Sequence, residues 1–518
     1  MDQKKIISYI GKVTSGTMLS RITGYIRDML VGWLFGAGMS ADAFYAALRI
    51  PNLLRRLMGE GSMSSSFIPI FSGYVASGDA EQTKKIFNIL FTFLVVILSG
   101  LTFLGIYFAP QLTRVVAYGF IKDPAKMQLT ILLTRILFPF LIFICLAAFL
   151  LSVLNTLKHF FIPAVAPMFL SFSEIFFILG ISPLVAKDKR ILGLAAAVVV
   201  GGLLQFVVQI PQIKKCGFNF KLNFDFSHPG LKHVLLLMIP AMWGISVDQI
   251  NAFVDTLCAS FLPEGSVTAL YYSNRLMQLP LALFGIAVST VSLPLMSISA
   301  SGRQKKEINN ILSYSLKISS MTLIPAMAGL IAIGTPIIRL LFEHGKFDSR
   351  ATELTNTALL FYCLGLPAYA YSKILAGGFY SLKKNKIPVY ISTFCMTINI
   401  ILNIILMEYM GIGGLALATA ISSWINAILL FKLLRQYTGR LGERDLIPFI
   451  LKIAIASSFM AGVCYALSEL FSNIVLSVLV PISFGIFIYY ITLRAMKIKE
   501  FKTVIDIITG SEDTDAGK

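Results

Sequence analysis

The feature that most constrains this chain is a series of apolar runs of about 20 residues, the length that crosses a membrane as a helix. Only 14% of the residues are charged, against roughly 25% in a soluble protein, and the mean hydropathy is +0.79. The sequence therefore predicts an all-α polytopic membrane protein. The predicted transmembrane helices, about fourteen, cover 6–34, 41–72, 85–111, 127–155, 160–184, 191–213, 231–262, 267–299, 309–342, 353–380, 386–408, 411–435, 446–469 and 473–495.

The basic residues predict how these helices are oriented. The net charge is +18, and most lysines and arginines lie in short connections, where they act as topology determinants on the cytoplasmic side of an inner membrane. "KDKR" at 187–190 is the exception, on the outer side. An even number of helices leaves both termini in the cytoplasm. Because the basic residues do not gather on a soluble domain, nucleic-acid binding is excluded.

The chain also repeats itself. "LKHFFIP" at 157–163 matches "LKKNKIP" at 382–388, and Pro69 and Pro294 lie in similar stretches that are likewise 225 positions apart. Because each copy holds an even number of helices, the copies share one orientation, which predicts two parallel six-helix lobes around a central cavity. The predicted organisation is an N-lobe at 1–225, a C-lobe at 226–440, two further helices at 441–495 and a polar cytoplasmic tail at 496–518.

Ionisable residues lie inside several predicted spans, where each costs several kcal/mol unless it meets water or a partner. On helices 1, 2 and 8 six arginines face three acids, which predicts a hydrated cationic cavity. Guanidinium groups bind phosphate and pyrophosphate with two parallel hydrogen bonds. For any single residue, the alternative is an ion pair that only joins two helices. The residues concerned are Arg21, Arg27, Asp28, Asp42, Arg49, Arg55, Arg56, Glu60 and Arg275, with Asp248 and Asp255 on helix 7.

The stretch 20–74, which begins "SRITGYIRDMLVGWLFGAG", resembles the N-terminal signature of the MurJ family of lipid II flippases, in the MOP exporter superfamily. "YYSNRLMQLPLALFGIAVSTVSLP" and "LLFEHGKFD" resemble further stretches of that family. The resemblance implies two lobes in a V shape, a cationic central cavity, and a groove formed with 441–495 for a polyprenyl tail. By motif position, it implies substrate binding by Arg21, Arg27, Asp28, Asp42, Arg55 and Arg275. The chain departs from some relatives at Asn274 and Gln278, where they carry acids.

The resemblance also implies a sodium site made of Asp255, Asn399, Asn403 and Thr419. All four offer oxygen atoms, which a hard cation prefers, and the two asparagines are i, i+4 on one helix face. Some relatives carry Asp at the position of Asn403, so this site would hold one negative charge fewer. A proton or the membrane potential is the alternative driving force, and hydrogen bonding between helices is the alternative role of these side chains.

The cationic cavity predicts a phosphorylated substrate. Together with it, the resemblance implies a flippase that moves lipid II, an undecaprenyl-pyrophosphate glycopeptide, from the cytoplasmic to the outer leaflet by alternating access. We expect a monomer among membrane lipids, in association with the cell-wall synthesis machinery, with no cofactor apart from Na⁺ or H⁺ as coupling ion. No nucleotide-binding G-x-x-x-x-G-K-[ST] loop occurs, and we expect no enzymatic activity. The alternatives are a flippase for another polyprenyl-pyrophosphate oligosaccharide, a MATE-like multidrug or cation exporter, and a structural scaffold.

Overall fold

The computed structural model describes residues 3–302, 304–498 and 500–501, with side chains from residue 18 onward except at 60–62, 64, 65, 241 and 243–245. Within that part of the chain every regular element is a helix and there is no strand. The predicted all-α class is confirmed. Of the predicted polar tail, the part beyond residue 501 lies outside the described residues.

The chain divides into two compact units, and a helix joins them. The first unit comprises Met1–Thr268 and His344–Asp348, and the second comprises Ala269–Glu343 and Ser349–Lys518. The first unit contains α1 (Gln3–Phe35), α2 (Met39–Arg55), α3 (Gly61–Ala76), α4 (Ala80–Tyr107), α5 (Ala109–Val116), α6 (Pro124–Leu137), α7 (Phe140–Thr156), α8 (Phe161–Val165), α9 (Met168–Phe176), α10 (Arg190–Val207), α11 (Ile210–Lys215) and α12 (Pro229–Ala259). Helix α13 (Ser266–Pro280) begins in the first unit and continues into the second, which also contains α14 (Ala287–Ser301), α15 (Lys305–Phe342), α16 (Ser349–Leu364), α17 (Leu366–Ser381), α18 (Lys386–Thr438), α19 (Glu443–Leu470) and α20 (Leu476–Ala495).

Many of these helices are long and apolar enough to cross a membrane. By length and composition nine helices of the described part qualify, and α16 with α17 would add a tenth span bent by 42°. A multi-pass membrane protein is therefore confirmed, whereas the exact number of fourteen spans stays a prediction.

Helix α18 is two helices folded back on each other at Gly411, where the backbone turns to φ 54° and ψ −128°. Across the fold, Asn399 Nδ2 donates to Thr419 Oγ1 at 3.3 Å. The Ser422 hydroxyl donates to the Cys395 carbonyl at 2.7 Å. Only antiparallel packing brings such pairs together, so the spans predicted at 386–408 and 411–435 are both present in this hairpin.

The repeat of 225 residues is visible in the boundaries of the helices. Helix α4 begins at Ala80 and α15 at Lys305, and the same offset separates two further pairs of helix starts. These are Pro124 and Ser349 for α6 and α16, and Phe161 and Lys386 for α8 and α18. The duplication predicted from the sequence is therefore a duplication of the backbone.

Several irregular parts of the backbone follow the same offset. A π-helical segment at Arg56–Glu60 precedes α3, and another at Leu281–Ile286 precedes α14. Lys158 and Lys383 both adopt positive φ, 63° and 59°, which is uncommon for a residue other than glycine. The lobe boundaries at 225 and 440 remain predictions, since the compact units divide within α13 and α12 packs against α3 in the first unit.

The segment His344–Asp348 lies in the first unit although the chain on either side of it belongs to the second. The Lys346 amide donates to the Trp33 carbonyl at 2.9 Å. A Cβ on Gly345 would lie 2.4 Å from that carbonyl oxygen, and a Cβ on Gly36 would lie 2.3 Å from the Lys346 oxygen. Both glycines have positive φ, so this contact requires glycine on each side. We refer to these five residues as the 344–348 segment.

Candidate functional site

Arg27 is held by two carboxylates in the first unit. Its Nη2 lies 2.6 Å from Asp28 Oδ1, and its Nη1 lies 3.5 Å from Glu174 Oε1. The Asp28 side chain is 2% exposed and the Glu174 side chain 6%, while that of Arg27 retains 15%. Helices α1 and α9 pack together, which brings Glu174 to this face of α1. The guanidinium is therefore fixed in orientation and partly open to solvent.

Asp42, a predicted substrate-site acid, is 1% exposed and accepts four hydrogen bonds. Its Oδ2 accepts from Lys126 Nζ and from the Gly265 amide, each at 2.8 Å. Its Oδ1 accepts from the Thr268 amide at 2.9 Å and from the Thr268 hydroxyl at 2.8 Å. The carboxylate thus satisfies free amides in the first turn of α13, as capping side chains do. In this structure Asp42 positions α13, which carries Arg275 two turns further on.

The other predicted cationic residues of the first unit lie on α1 and α2. Arg49 Nε donates to the Thr256 hydroxyl at 2.7 Å, which links α2 to α12. Arg55 Nε donates to Asn52 Oδ1 at 3.2 Å, within α2. Arg21 is exposed and makes no ion pair with the side chains that the structure describes. Two consecutive helices, α1 and α2, thus carry these guanidinium groups. The two hydrogen-bond partners given above, the Thr256 hydroxyl and the Asn52 amide, are neutral.

Arg275, the predicted cation of the second copy, lies half-buried on α13 in the second unit. Beside it, Gln278 donates a hydrogen bond from Nε2 to Asn274 Oδ1. Asn274 and Gln278 therefore form a neutral amide pair beside Arg275.

Three of the four residues of the predicted sodium site lie in the second unit. Asn403 Nδ2 donates to Asn399 Oδ1 at 3.2 Å, and Asn399 Nδ2 donates to Thr419 Oγ1 at 3.3 Å. The two asparagines are buried, at 0% and 1% exposure. These three residues form a chain of neutral groups across the α18 hairpin. Asp255, the predicted carboxylate ligand, is buried on α12 in the first unit.

Two residues of these clusters were missed by sequence reasoning. Glu174 is the only ionisable residue in the predicted span 160–184, so an acid in an apolar run was the available signal. Lys126 directly precedes the predicted span 127–155, where a basic residue is expected to flank the membrane. It is in fact buried, pairs with Asp42 and lies 4.2 Å from the centre of the Phe120 ring.

The fold and these buried charges define a class of protein. The described chain is a polytopic helical bundle with a backbone repeat, and charged side chains of both signs lie inside the membrane-spanning part. Intramembrane charges of this kind belong to substrate or ion pathways, and repeated helical halves are typical of secondary transporters.

Comparison with known proteins identifies the family. The sequence model described as "Lipid II flippase MurJ" matches residues 31–485. A probable lipid II flippase MurJ of Vibrio cholerae is 36% identical over 457 residues, which is 87% of each chain. A solved structure of a lipid II flippase MurJ in an inward closed conformation superposes with a TM-score of 0.79 at 31% identity, covering 94% of this chain and 99% of that one. The chain belongs to the MurJ family of lipid II flippases.

A more distant solved structure shares the fold. It is an inward-facing multidrug resistance MATE family transporter of the MOP superfamily, with a TM-score of 0.69 and 13% identity, covering 84% of this chain and 99% of that one. At this identity the likeness extends to the fold alone.

Proposed function

We propose that this chain is a flippase that moves lipid II from the cytoplasmic to the outer leaflet by alternating access. The observation that carries the proposal is membership in the MurJ family over residues 31–485. The arginines on α1 and α2 support it, because guanidinium groups suit a pyrophosphate. The MATE-like alternative is not favoured, because a cation exporter needs acids where this chain carries Arg21, Arg27, Arg49 and Arg55.

Arg27 is our proposed centre of pyrophosphate recognition. Asp28 binds its Nε and Nη2, which leaves Nη1 with the longer contact of 3.5 Å to Glu174. An incoming phosphate oxygen would replace Glu174 at Nη1 while Asp28 keeps the guanidinium in place. Charge-assisted bonds to a planar guanidinium suit a diphosphate group. Arg21, Arg55 and Arg275 would supply further positive charge in the predicted central cavity.

The polyprenyl tail of the substrate would remain in the bilayer beside α19. Ile447, Leu451, Ile455 and Phe459 recur every fourth residue, so they share one face of this helix. Each is 58–61% exposed. A continuous apolar stripe next to the membrane supports the predicted tail groove at 441–495, since burying apolar surface is favourable by about 25 cal/mol per Å².

The coupling ion is a separate part of the proposal. The side chains of Asn399, Asn403 and Thr419 would hold Na⁺ through amide and hydroxyl oxygens, with Asp255 as the only carboxylate. Bound Na⁺ would supply a positive charge that offsets the carboxylate. Because the two amides already bond to each other and to Thr419, ion binding requires at least one amide to turn its oxygen toward the ion. A proton or the membrane potential is the alternative source of energy.

We further propose an inner-membrane location with both termini in the cytoplasm, and a monomer that works alongside the cell-wall synthesis machinery. We propose transport without a catalytic step, and no nucleic-acid partner. The positive-inside distribution of lysines supports the orientation.

The test is flipping of lipid II in proteoliposomes. We expect Arg27→Ala combined with Arg275→Ala to lower the flipping rate at least tenfold, whereas Arg339→Ala, a change to an arginine that is 53% exposed on α15, leaves it near normal. Near-normal flipping by the double variant would overturn the proposed recognition. Equal transport of another polyprenyl-pyrophosphate oligosaccharide by the unaltered chain would broaden the substrate to that class.

A further inference from the structure

The connection between α11 and α12 has an alternating pattern that transport does not explain. In "GFNFKLNFDFSH" at 217–228 every second residue from 218 to 226 is apolar, as in a half-buried β-strand. In the structure residues 218–225 have no regular secondary structure and pair with no strand in the described chain. Instead the amides of Lys221 and Asn223 donate, each at 2.9 Å, to Asn88 Oδ1 and Thr92 Oγ1 of α4. Asn88 and Thr92 are one helical turn apart, so the segment runs alongside α4 and is held by side chains of that helix.

The apolar side chains of this segment are buried at one end and exposed at the other. Phe218 is buried against Phe71 and Phe87. By contrast, Leu222 is 65% exposed and Phe224 62%. In water, each of these exposed large apolar side chains would forfeit roughly 1.5–3 kcal/mol of burial. Because this chain has helices that are long and apolar enough to cross a membrane, acyl chains of the bilayer would recover that burial.

A cleft opens next to that exposed end, between the segment and α12. Its volume is about 440 Å³. Phe226 and Ser227 form one side, and residues on one face of α12 form the other, from Leu231 and Lys232 to Ile239. The rise of 1.5 Å per residue places Ile239 about 10 Å beyond Lys232 along the helix axis. The cleft thus has a charged mouth and an apolar wall.

The charge at the mouth is positive and uncompensated nearby. Lys232 is exposed and forms no ion pair with any described residue. Between residues 214 and 233 the chain carries four lysines, Lys214, Lys215, Lys221 and Lys232, and one acid, Asp225. That acid is already paired with Lys85 at 3.0 Å.

We infer that this cleft binds an anionic phospholipid of the cytoplasmic leaflet. Its phosphate would meet Lys232 and the Ser227 hydroxyl, and an acyl chain would lie along α12 toward Ile239. The 217–228 segment would then anchor the first unit at the membrane interface, with Leu222 and Phe224 inserted among the acyl chains. This inference does not depend on what the protein transports.

The experiment is native mass spectrometry of the purified full-length protein with phosphatidylglycerol and phosphatidylcholine of identical acyl chains. We expect the unaltered protein to retain phosphatidylglycerol more tightly. Lys232→Gln should lower that affinity about fivefold, the factor that corresponds to about 1 kcal/mol for one interfacial lysine, and should leave phosphatidylcholine unchanged. Lys214→Gln is the matched control, because it removes the same charge outside the cleft and should change neither lipid. Phe226→Ser should weaken both lipids, since it shortens the apolar wall.

Three results would overturn the inference. The first is no preference of the unaltered protein for phosphatidylglycerol. The second is an equal loss in Lys232→Gln and Lys214→Gln, which would indicate diffuse attraction to a basic surface. The third is displacement of phosphatidylglycerol by one equivalent of polyprenyl pyrophosphate, which would make the cleft part of the transport path.

Discussion

Asp42 and Lys126 form a buried ion pair, 2.8 Å apart, with side chains 1% and 8% exposed. The pair joins the start of α2 to the start of α6, and the same carboxylate caps α13. A buried charge that loses its partner costs several kcal/mol, whereas removing both charges together costs less.

The first prediction concerns this pair. We expect Asp42→Ala to lower the free energy of unfolding by about 3–5 kcal/mol, because it leaves Lys126 buried without its carboxylate. Lys126→Met should cost less, since Asp42 keeps three other donors. The double variant should be more stable than the sum of the single changes, measured by thermal unfolding in detergent. Strictly additive losses would show that the two side chains do not interact.

The second prediction separates Arg27 from Glu174. Glu174→Gln should preserve lipid II flipping and tighten binding of the substrate by up to about tenfold, or 1.4 kcal/mol, because one carboxylate no longer competes with phosphate for Nη1. Arg27→Ala should lower both the flipping rate and the affinity for the substrate. Binding to detergent-solubilised protein and flipping in proteoliposomes are measured side by side.

Glu353→Gln is the control for the second prediction, because Glu353 is an exposed acid on α16 in the other unit. A Glu174→Gln variant as inactive as Arg27→Ala would mean that Glu174 takes part in transport directly.

The third prediction concerns the coupling ion. Asn403→Asp adds a carboxylate to the amide chain of the α18 hairpin and should make flipping more dependent on Na⁺, because hard cations bind carboxylate oxygen more strongly than amide oxygen. The readout is the ratio of flipping rates in sodium and in choline buffer. Thr357→Asp, a change outside the hairpin on α16, should leave that ratio unaltered. If Asn403→Asp also leaves it unaltered, Na⁺ does not bind at the hairpin.

The fourth prediction concerns the 344–348 segment. Gly345→Ala should destabilise the protein by more than the roughly 1–2 kcal/mol of a left-handed residue, because its Cβ would meet the Trp33 carbonyl oxygen at 2.4 Å. Gly78→Ala is the control, since Gly78 has a φ of +73° but no atom within 4 Å of its Cβ position. Equal losses of thermal stability in the two variants would mean that backbone strain alone accounts for the loss in Gly345→Ala. That result would argue against a tight contact with the Trp33 carbonyl.

The sequence predicted the helices and their duplication well, because both depend on local pattern. Apolar length sets each span, and "LKHF" and "LKKN" place Lys158 and Lys383 in the same unusual backbone conformation. The partners of the charges were harder to predict. Glu174 meets Arg27 across 147 residues, and Gly265 meets Asp42 across 223. The repeat of apolar residues along a helix does not indicate which distant helix will supply a hydrogen-bond partner.

The ion site shows the same limit. The family resemblance pointed to Asn399, Asn403 and Thr419, whose side chains all carry oxygen atoms, and the hairpin at Gly411 brings these three together. Their order in the chain did not reveal that the amides bond to each other.

The duplicated frame has a consequence for how such a protein could have arisen. The two halves coincide in three helix starts, one pair of π-helical segments and the two unusual lysines. Even so, Arg49 of the first half corresponds to Asn274 of the second at the offset of 225. An ancestral pair of identical half-length chains would have carried guanidinium groups on both sides or on neither. Specialisation requires that the two halves be encoded separately, as they are along this one chain.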